Sequence, residues 1–137
     1  RFPGNYHVAL RHRNHLGVMT AAPVVLGNTP LTIDLTLPGT PVFGTDARND
    51  VNGTAVLWPN NTRFDNTVKY TGGANDRDAI LVRIGGIVPT ATVSGYWSED
   101  GTMDGVVKYT GAGNDRDPIL TTIGPPLPTG TRTEQLP

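Results

Sequence analysis

Residues 65–81 read DNTVKYTGGANDRDAIL, and 104–120 read DGVVKYTGAGNDRDPIL, the same text 39 positions on. Laid without a gap, 58–86 and 97–125 agree at about half their positions, and the protein's two lysines, Lys69 and Lys108, fall on equivalent places. Each copy closes on Ile-Leu-x-x-Ile-Gly (Ile80, Leu81, Ile84 and Gly85; Ile119, Leu120, Ile123 and Gly124), the spacing of a two-turn amphipathic helix stopped by glycine. Asp78 and Asp117 stand where helix N-caps are expected, and Pro118 then takes the favoured first helical position. Each copy therefore reads as a loop followed by a short helix. The chain divides accordingly into 1–57 and a duplicated module with a tail, 58–137.

The first part reads as strands. Residues 5–13 (NYHVALRHR) alternate, with Tyr6, Val8 and Leu10 on one face, and 31–37 (LTIDLTL) alternate more cleanly, with Leu31, Ile33, Leu35 and Leu37 inward. Short apolar pieces at 16–21, 24–26 and 54–58 add further strands, and the turn-rich 38–52 reads as a connector. The expected fold is mainly β: a partial antiparallel β-sandwich followed by two loop and short-helix repeats.

Composition sets the limits. The 137 residues include 17 glycines and 12 prolines, so long helices are not expected. Only 17% of residues are charged and the net charge is -1, which fits neither a disordered acidic tail nor a nucleic-acid binder. With no cysteine there is no disulfide, thiolate nucleophile or cysteine-ligated zinc. No apolar run is long enough to span a membrane and no signal-peptide pattern is present. A chain starting Arg1-Phe2-Pro3 reads as a processed product or as the later part of a longer polypeptide.

The second copy carries the chemistry. Asp100-Gly-Thr102-Met-Asp104-Gly105-Val106 matches the opening of a calcium loop: oxygens at alternate positions, a glycine for the turn and a backbone carbonyl at the seventh place. The twelfth position is Gly111, so the closing carboxylate is assigned to Asp115. In the first copy Asn61, Asp65, Thr67 and Asp76 take the equivalent ligand positions, but Arg63 stands where a ligand belongs and would offer only its backbone oxygen or its own positive charge. The plain alternative for all these aspartates is turn and cap duty. With a dissociation constant on the order of 0.1 mM, millimolar calcium stabilises a fold by roughly 1.4 kcal/mol per site. That is a substitute for the missing disulfides.

Other candidates are weaker. His7, His12 and His15 read as surface residues rather than zinc ligands. No nucleophile elbow, metalloprotease motif or phosphate loop is present, and the two glutamates, Glu99 and Glu134, are thin for paired-carboxylate catalysis, so an enzyme is not expected. Trp58, Trp97, Tyr70, Tyr109 and Tyr96 fit core anchors better than a sugar-stacking face. Asn52-Gly-Thr54 and Asn60-Asn61-Thr62 are glycosylation sequons.

The two KYTGxxNDRDxIL segments, the upstream YHVALRHRNHLGVMTA and the closing TRTEQLP resemble the C-terminal region of large secreted surface proteins of Bacteroidota, over nearly the whole chain. Their loops are similar to the duplicated calcium loops of dockerins, with an insertion after Lys-Tyr; the resemblance implies Asp-x-Asn-x-Asp-Gly in the first loop, from which Asn61, Arg63 and Asn66 depart. It also implies that 6–20 belongs to a longer β-sandwich. A sandwich short of strands has open edges and an uncovered apolar face, which pairing with a strand of the next subunit repairs. The expectation is a cell-surface or extracellular, calcium-braced filament subunit whose partner is itself, with no nucleic acid and no membrane span. The alternative is a dockerin-like calcium-dependent module that binds protein or carbohydrate.

Overall fold

A computed structural model describes residues 3–137. Among them, ten short strands form five antiparallel two-stranded pairs, joined by two helices, so the fold is mainly β. The chain falls into two compact units. One holds the described residues up to Arg11, then Gly17–Trp58 and Glu134–Pro137; the other holds His12–Leu16 and Pro59–Thr133.

In the first unit the alternating stretch 5–13 is two strands rather than one, β1 (Gly4–Tyr6) and β2 (Ala9–Leu10). Thr20 causes the break: its carbonyl contacts His7 Nδ1 at 2.9 Å, its hydroxyl accepts from Val8 N, and its own N–H donates to Val8 O. β2 then pairs with β3 (Val18–Met19), while β1 pairs with β4 (Val24–Leu26). The end of the expected connector is itself a strand, β5 (Arg48–Val51); with β6 (Thr54–Leu57), where a strand is expected, it forms a hairpin. Its turn is Asn52-Gly53, both left-handed at φ 54° and 81°, the Asn-Gly pattern that suits strand twist.

The cleanest sequence strand, 31–37, is not a strand. Asp34 accepts from both Thr36 N and Thr36 Oγ1, folding the backbone into a local turn. Arg48 fastens the neighbouring backbone, its guanidinium donating to the carbonyls of Leu35 and Thr40 at 2.7 Å and of Leu37 at 3.1 Å. Side chain to backbone bonds have taken the groups a strand ladder needs. The buried apolar set of this unit is small, Val18, Ala47 and Ala55, whereas Val25 is 71% exposed and Leu10, Leu31, Leu37 and Phe43 are also exposed.

The second unit holds both repeats. Its strands are β7 (Thr67–Lys69), β8 (Thr92–Ser94), β9 (Val106–Lys108) and β10 (Thr131–Thr133); its helices are α1 (Asp76–Arg83) and α2 (Asp117–Ile123). Pairing is reciprocal. β8, which comes after the first repeat, pairs with β9 of the second, Val93 opposite Val107; β10, which comes after the second, pairs with β7 of the first, Arg132 opposite Val68. The two registers correspond residue for residue at the 39-residue spacing. Helices cross over too, α1 packing on β9 and α2 on β7. Thr71 Oγ1 donates to Pro128 O as Thr110 Oγ1 does to Pro89 O. Val68 and Val107, Ile80 and Ile119, and Ile84 and Ile123 form the core as equivalent pairs, joined by Leu16.

Because Ile80 and Ile119 are both fully buried in equivalent places, Ile80→Ala and Ile119→Ala should each cost about 3 kcal/mol in urea unfolding. Leu31→Ser, in a stretch with no ladder and an exposed side chain, should stay within about 0.5 kcal/mol of the parent.

Candidate metal-binding loops

The second loop is organised by two buried carboxylates. Asp100, 1% exposed, accepts from Asp104 N at 3.1 Å and Gly105 N at 3.0 Å, and Arg13 Nη2 lies 3.5 Å from its Oδ2. Asp115, 0% exposed, accepts from Thr102 N and Thr102 Oγ1 on one oxygen and from Lys108 N at 2.7 Å on the other. Asp104 Oδ1 accepts from Val106 N at 2.9 Å. Burial pushes the Asp115 carboxyl above its ordinary range, and the nearby charge of Asp100 adds to the rise. The sequence candidates Asp100, Thr102, Asp104, Val106 and Asp115 are thus linked by hydrogen bonds into one cluster around the start of β9.

The first loop repeats the frame with different charges. Asn61 stands in place of Asp100, its Oδ1 accepting from Asp65 N and its Nδ2 donating to Asp65 O. Asp76, 0% exposed, accepts from Thr62 Oγ1, Arg63 N and Lys69 N. Its carboxyl is pushed up to about 6, mainly by burial. Asp65 Oδ1 takes Thr67 N, and Arg63 Nε lies 3.6 Å from Asp65 Oδ2.

The donor chemistry separates the two loops. The second offers three carboxylates, a hydroxyl and a backbone carbonyl, all hard oxygens, and an ionised carboxylate has about four acceptor sites, of which Asp104 uses one within the protein. The first has an amide whose nitrogen is turned onto a carbonyl and a guanidinium beside its one outer carboxylate, so it does not suit a cation. As folded, Asp100 and Asp115 are turned onto backbone donors. Among the described residues no three His, Asp or Glu side chains converge as a metal-holding group.

Several residues differ from their expected roles. α1 is capped by Asn75, not Asp78: Asn75 Oδ1 accepts from Asp78 N at 2.8 Å, and its Nδ2 donates to the Asp78 carboxylate. Asn114 makes the same two bonds to Asp117, which is itself the first residue of α2 with Pro118 second. Standing one turn earlier, the asparagine reaches the N–H that an aspartate within the helix cannot. Asn60 is 2% exposed and its Nδ2 donates to Thr122 Oγ1, which withdraws it from glycosylation and leaves exposed Asn52 as the reachable sequon. The aromatics are not core anchors. Tyr96 is 77% exposed, and arginines stack on four rings: Arg13 on Tyr96 at 3.8 Å, Arg83 on Trp97 at 4.2 Å, and Arg77 and Arg116 on the equivalent Tyr70 and Tyr109 at 5.2 Å. Trp58 belongs to the first unit, where its Nε1 donates to Asp46 O.

One segment has no signal in the repeat. Asn14, fully buried, accepts from Asn61 N at 2.9 Å and donates to Asp100 O at 2.7 Å, tying together the equivalent first positions of the two loops. Beside it His12 and His15 are half-buried and face each other, Nδ1 to Nδ1, at 2.9 Å. No family model matches the sequence, and neither the curated proteins nor the solved structures give a significant match.

His15 and Asp76 set opposing acid responses. Burial, with the charges of His12 and Arg13, lowers His15 from 6.5 to about 4, so its contribution is full above 6.5 and is lost as pH falls towards 4. Asp76 is raised from 3.8 to about 6, so its contribution is full below 3.8 and is lost as pH rises through 6. In urea unfolding at pH 7.5 and 5, His15→Gln should shrink the acid loss of stability, and Asp76→Asn should enlarge it.

Proposed function

We propose that the protein is an extracellular structural subunit that joins copies of itself into a filament by strand complementation, with calcium bracing its second loop. The observation that carries this reading is the state of the first unit: strands of two to four residues in separate pairs, each with an unpaired edge, over three buried apolar side chains, and with Leu10, Val25, Leu31, Leu37 and Phe43 exposed. Edges and apolar side chains of this kind are covered when a neighbouring chain adds a strand, and addition that does not close on itself makes a fibre. In this reading the chain catalyses nothing; its buried aspartates hold loop backbone. Calcium would be held by Asp100, Thr102, Asp104, the Val106 carbonyl and Asp115, supplying positive charge where Asp115 is buried beside Asp100.

A second reading is a dockerin-like calcium-dependent module that binds protein or carbohydrate, and it is favoured by one observation: the 77% exposed ring of Tyr96 with Arg13 stacked on it.

Electron microscopy of concentrated protein in millimolar calcium should show filaments that shorten or dissolve in a chelator. Monodisperse monomers under both conditions would sink the polymer and leave the binding module. In calorimetric titration Asp104→Ala, which gives up only the bond to Val106 N, should lose calcium binding while keeping its thermal unfolding cooperative. Unchanged affinity would return Asp104 to turn duty.

A further inference from the structure

The reciprocal pairing in the second unit has a feature that closure of one chain does not require. Each receiving strand, β7 or β9, takes a three-residue strand that arrives from the other repeat, and it holds that strand by backbone pairing around one central side chain, Arg132 on Val68 or Val93 on Val107. Backbone pairing does not distinguish the chain from which a strand comes. The two incoming strands also reach their places by different connections. The one before β8 carries Ala91, whose N–H donates to Val88 O. The one before β10, residues 124–130, reads GPPLPTG and is drawn tight at its end: Gly130 N donates to Pro126 O at 2.6 Å. A Cβ on Gly130 would lie 2.8 Å from Gly124 O and 3.2 Å from Pro126 O, both backbone atoms that cannot swing aside. The fold-back of this connection depends on a residue without a side chain, and three prolines, Pro125, Pro126 and Pro128, limit the other ways it can compact. Extended, seven residues reach roughly 23 Å, enough to deliver β10 outside its own unit.

We infer that β10 is the exchanged element of the assembly: opened at 124–130, it leaves its own β7 and pairs with β7 of a second copy of this chain in the same register. Each copy then gives one strand and receives one. The same strand pairing is made as in the closed chain; exchange with two different neighbours propagates as an open chain, whereas reciprocal exchange between two copies closes a dimer. The exchange rests on the proposed self-association and adds, in the second unit, a junction between copies besides the open edges of the first.

The absence of cysteine makes the test direct. Thr67 and Thr133 are register partners across β7 and β10. Chains carrying Thr67→Cys alone and Thr133→Cys alone, refolded together at high concentration and oxidised, can join these partners only between two chains. The expected result on a non-reducing gel is a disulfide of one of each chain that outweighs both same-variant dimers. Monomer bands alone, or mixed and same-variant dimers in statistical proportion, would overturn the exchange. Placing Gly130→Val in both chains should raise the mixed disulfide by opening the connection; an unchanged or smaller fraction would remove 124–130 as the hinge. Filaments without the mixed disulfide leave self-association standing and sink the exchange, whereas the mixed disulfide without filaments keeps the exchange and sinks the filament.

Discussion

Neither repeat of the second unit can satisfy itself. A single copy supplies a strand, β7 or β9, and a helix, but the strand paired to it follows the other copy, and the other copy's helix packs on it. Alone, one repeat would be a helix of about two turns beside an unpaired three-residue strand, below the length at which either element is stable in water. The crossed arrangement resolves this by making each copy the missing half of the other. It follows that the equivalent core pairs Val68 and Val107, Ile80 and Ile119, and Ile84 and Ile123 bury or unbury together, and that the unit unfolds as one. The five residues His12–Leu16 complete it: Leu16 adds to the core, and Asn14 bonds the corresponding residues Asn61 and Asp100, accepting with its main-chain carbonyl and donating with its side-chain amide.

The buried aspartates are tolerated for a related reason. Taking an ionised carboxylate out of water costs several kcal/mol, and hydrogen bonds to a charged group return roughly 1.5–3 kcal/mol each. Asp76 and Asp115 each accept three, from the loop before them and from the lysine N–H of the adjoining strand. Each therefore ties loop, strand and helix start to one point without any ion. The two loops differ in what surrounds that point. In the first, Arg63 brings a positive charge to Asp65; in the second, Arg13 reaches Asp100, and among the described residues no cationic side chain pairs with Asp104 or Asp115. A cation has more to offset in the second loop than in the first.

The repeat was legible because identity at a fixed spacing does not depend on long-range packing, and the helices because their Ile spacing and terminal glycines are local. The caps were visible in NDRD but assigned one turn late, since asparagine and aspartate both cap and only the helix start decides between them. Crossed pairing was out of reach: β8 and β10 read as TVS and TRT, too short for alternation to register. The stretch 31–37 failed the other way. Its alternation is real, but Asp34 and Arg48 capture its backbone from positions that a two-residue period does not weigh. Arg13, Asn14 and Arg48 carry no local signal because their partners lie far along the chain or are backbone carbonyls.

The mismatch at 31–37 bears on function. Sequences that specify one structure agree with it at every level, and places where pattern and fold disagree are where something beyond local packing has shaped the sequence. The first unit concentrates such disagreement: Leu31 and Leu37 carry the inward pattern of a strand yet are exposed, and Val25, within a paired strand, is the most exposed of its large apolar side chains. In the second unit the equivalent apolar positions of the two repeats are buried. A unit that buries its equivalent apolar pairs by pairing within the chain and another with only three buried apolar side chains among its described residues are one sequence under two constraints, and the proposed self-association relieves the second without a single added residue.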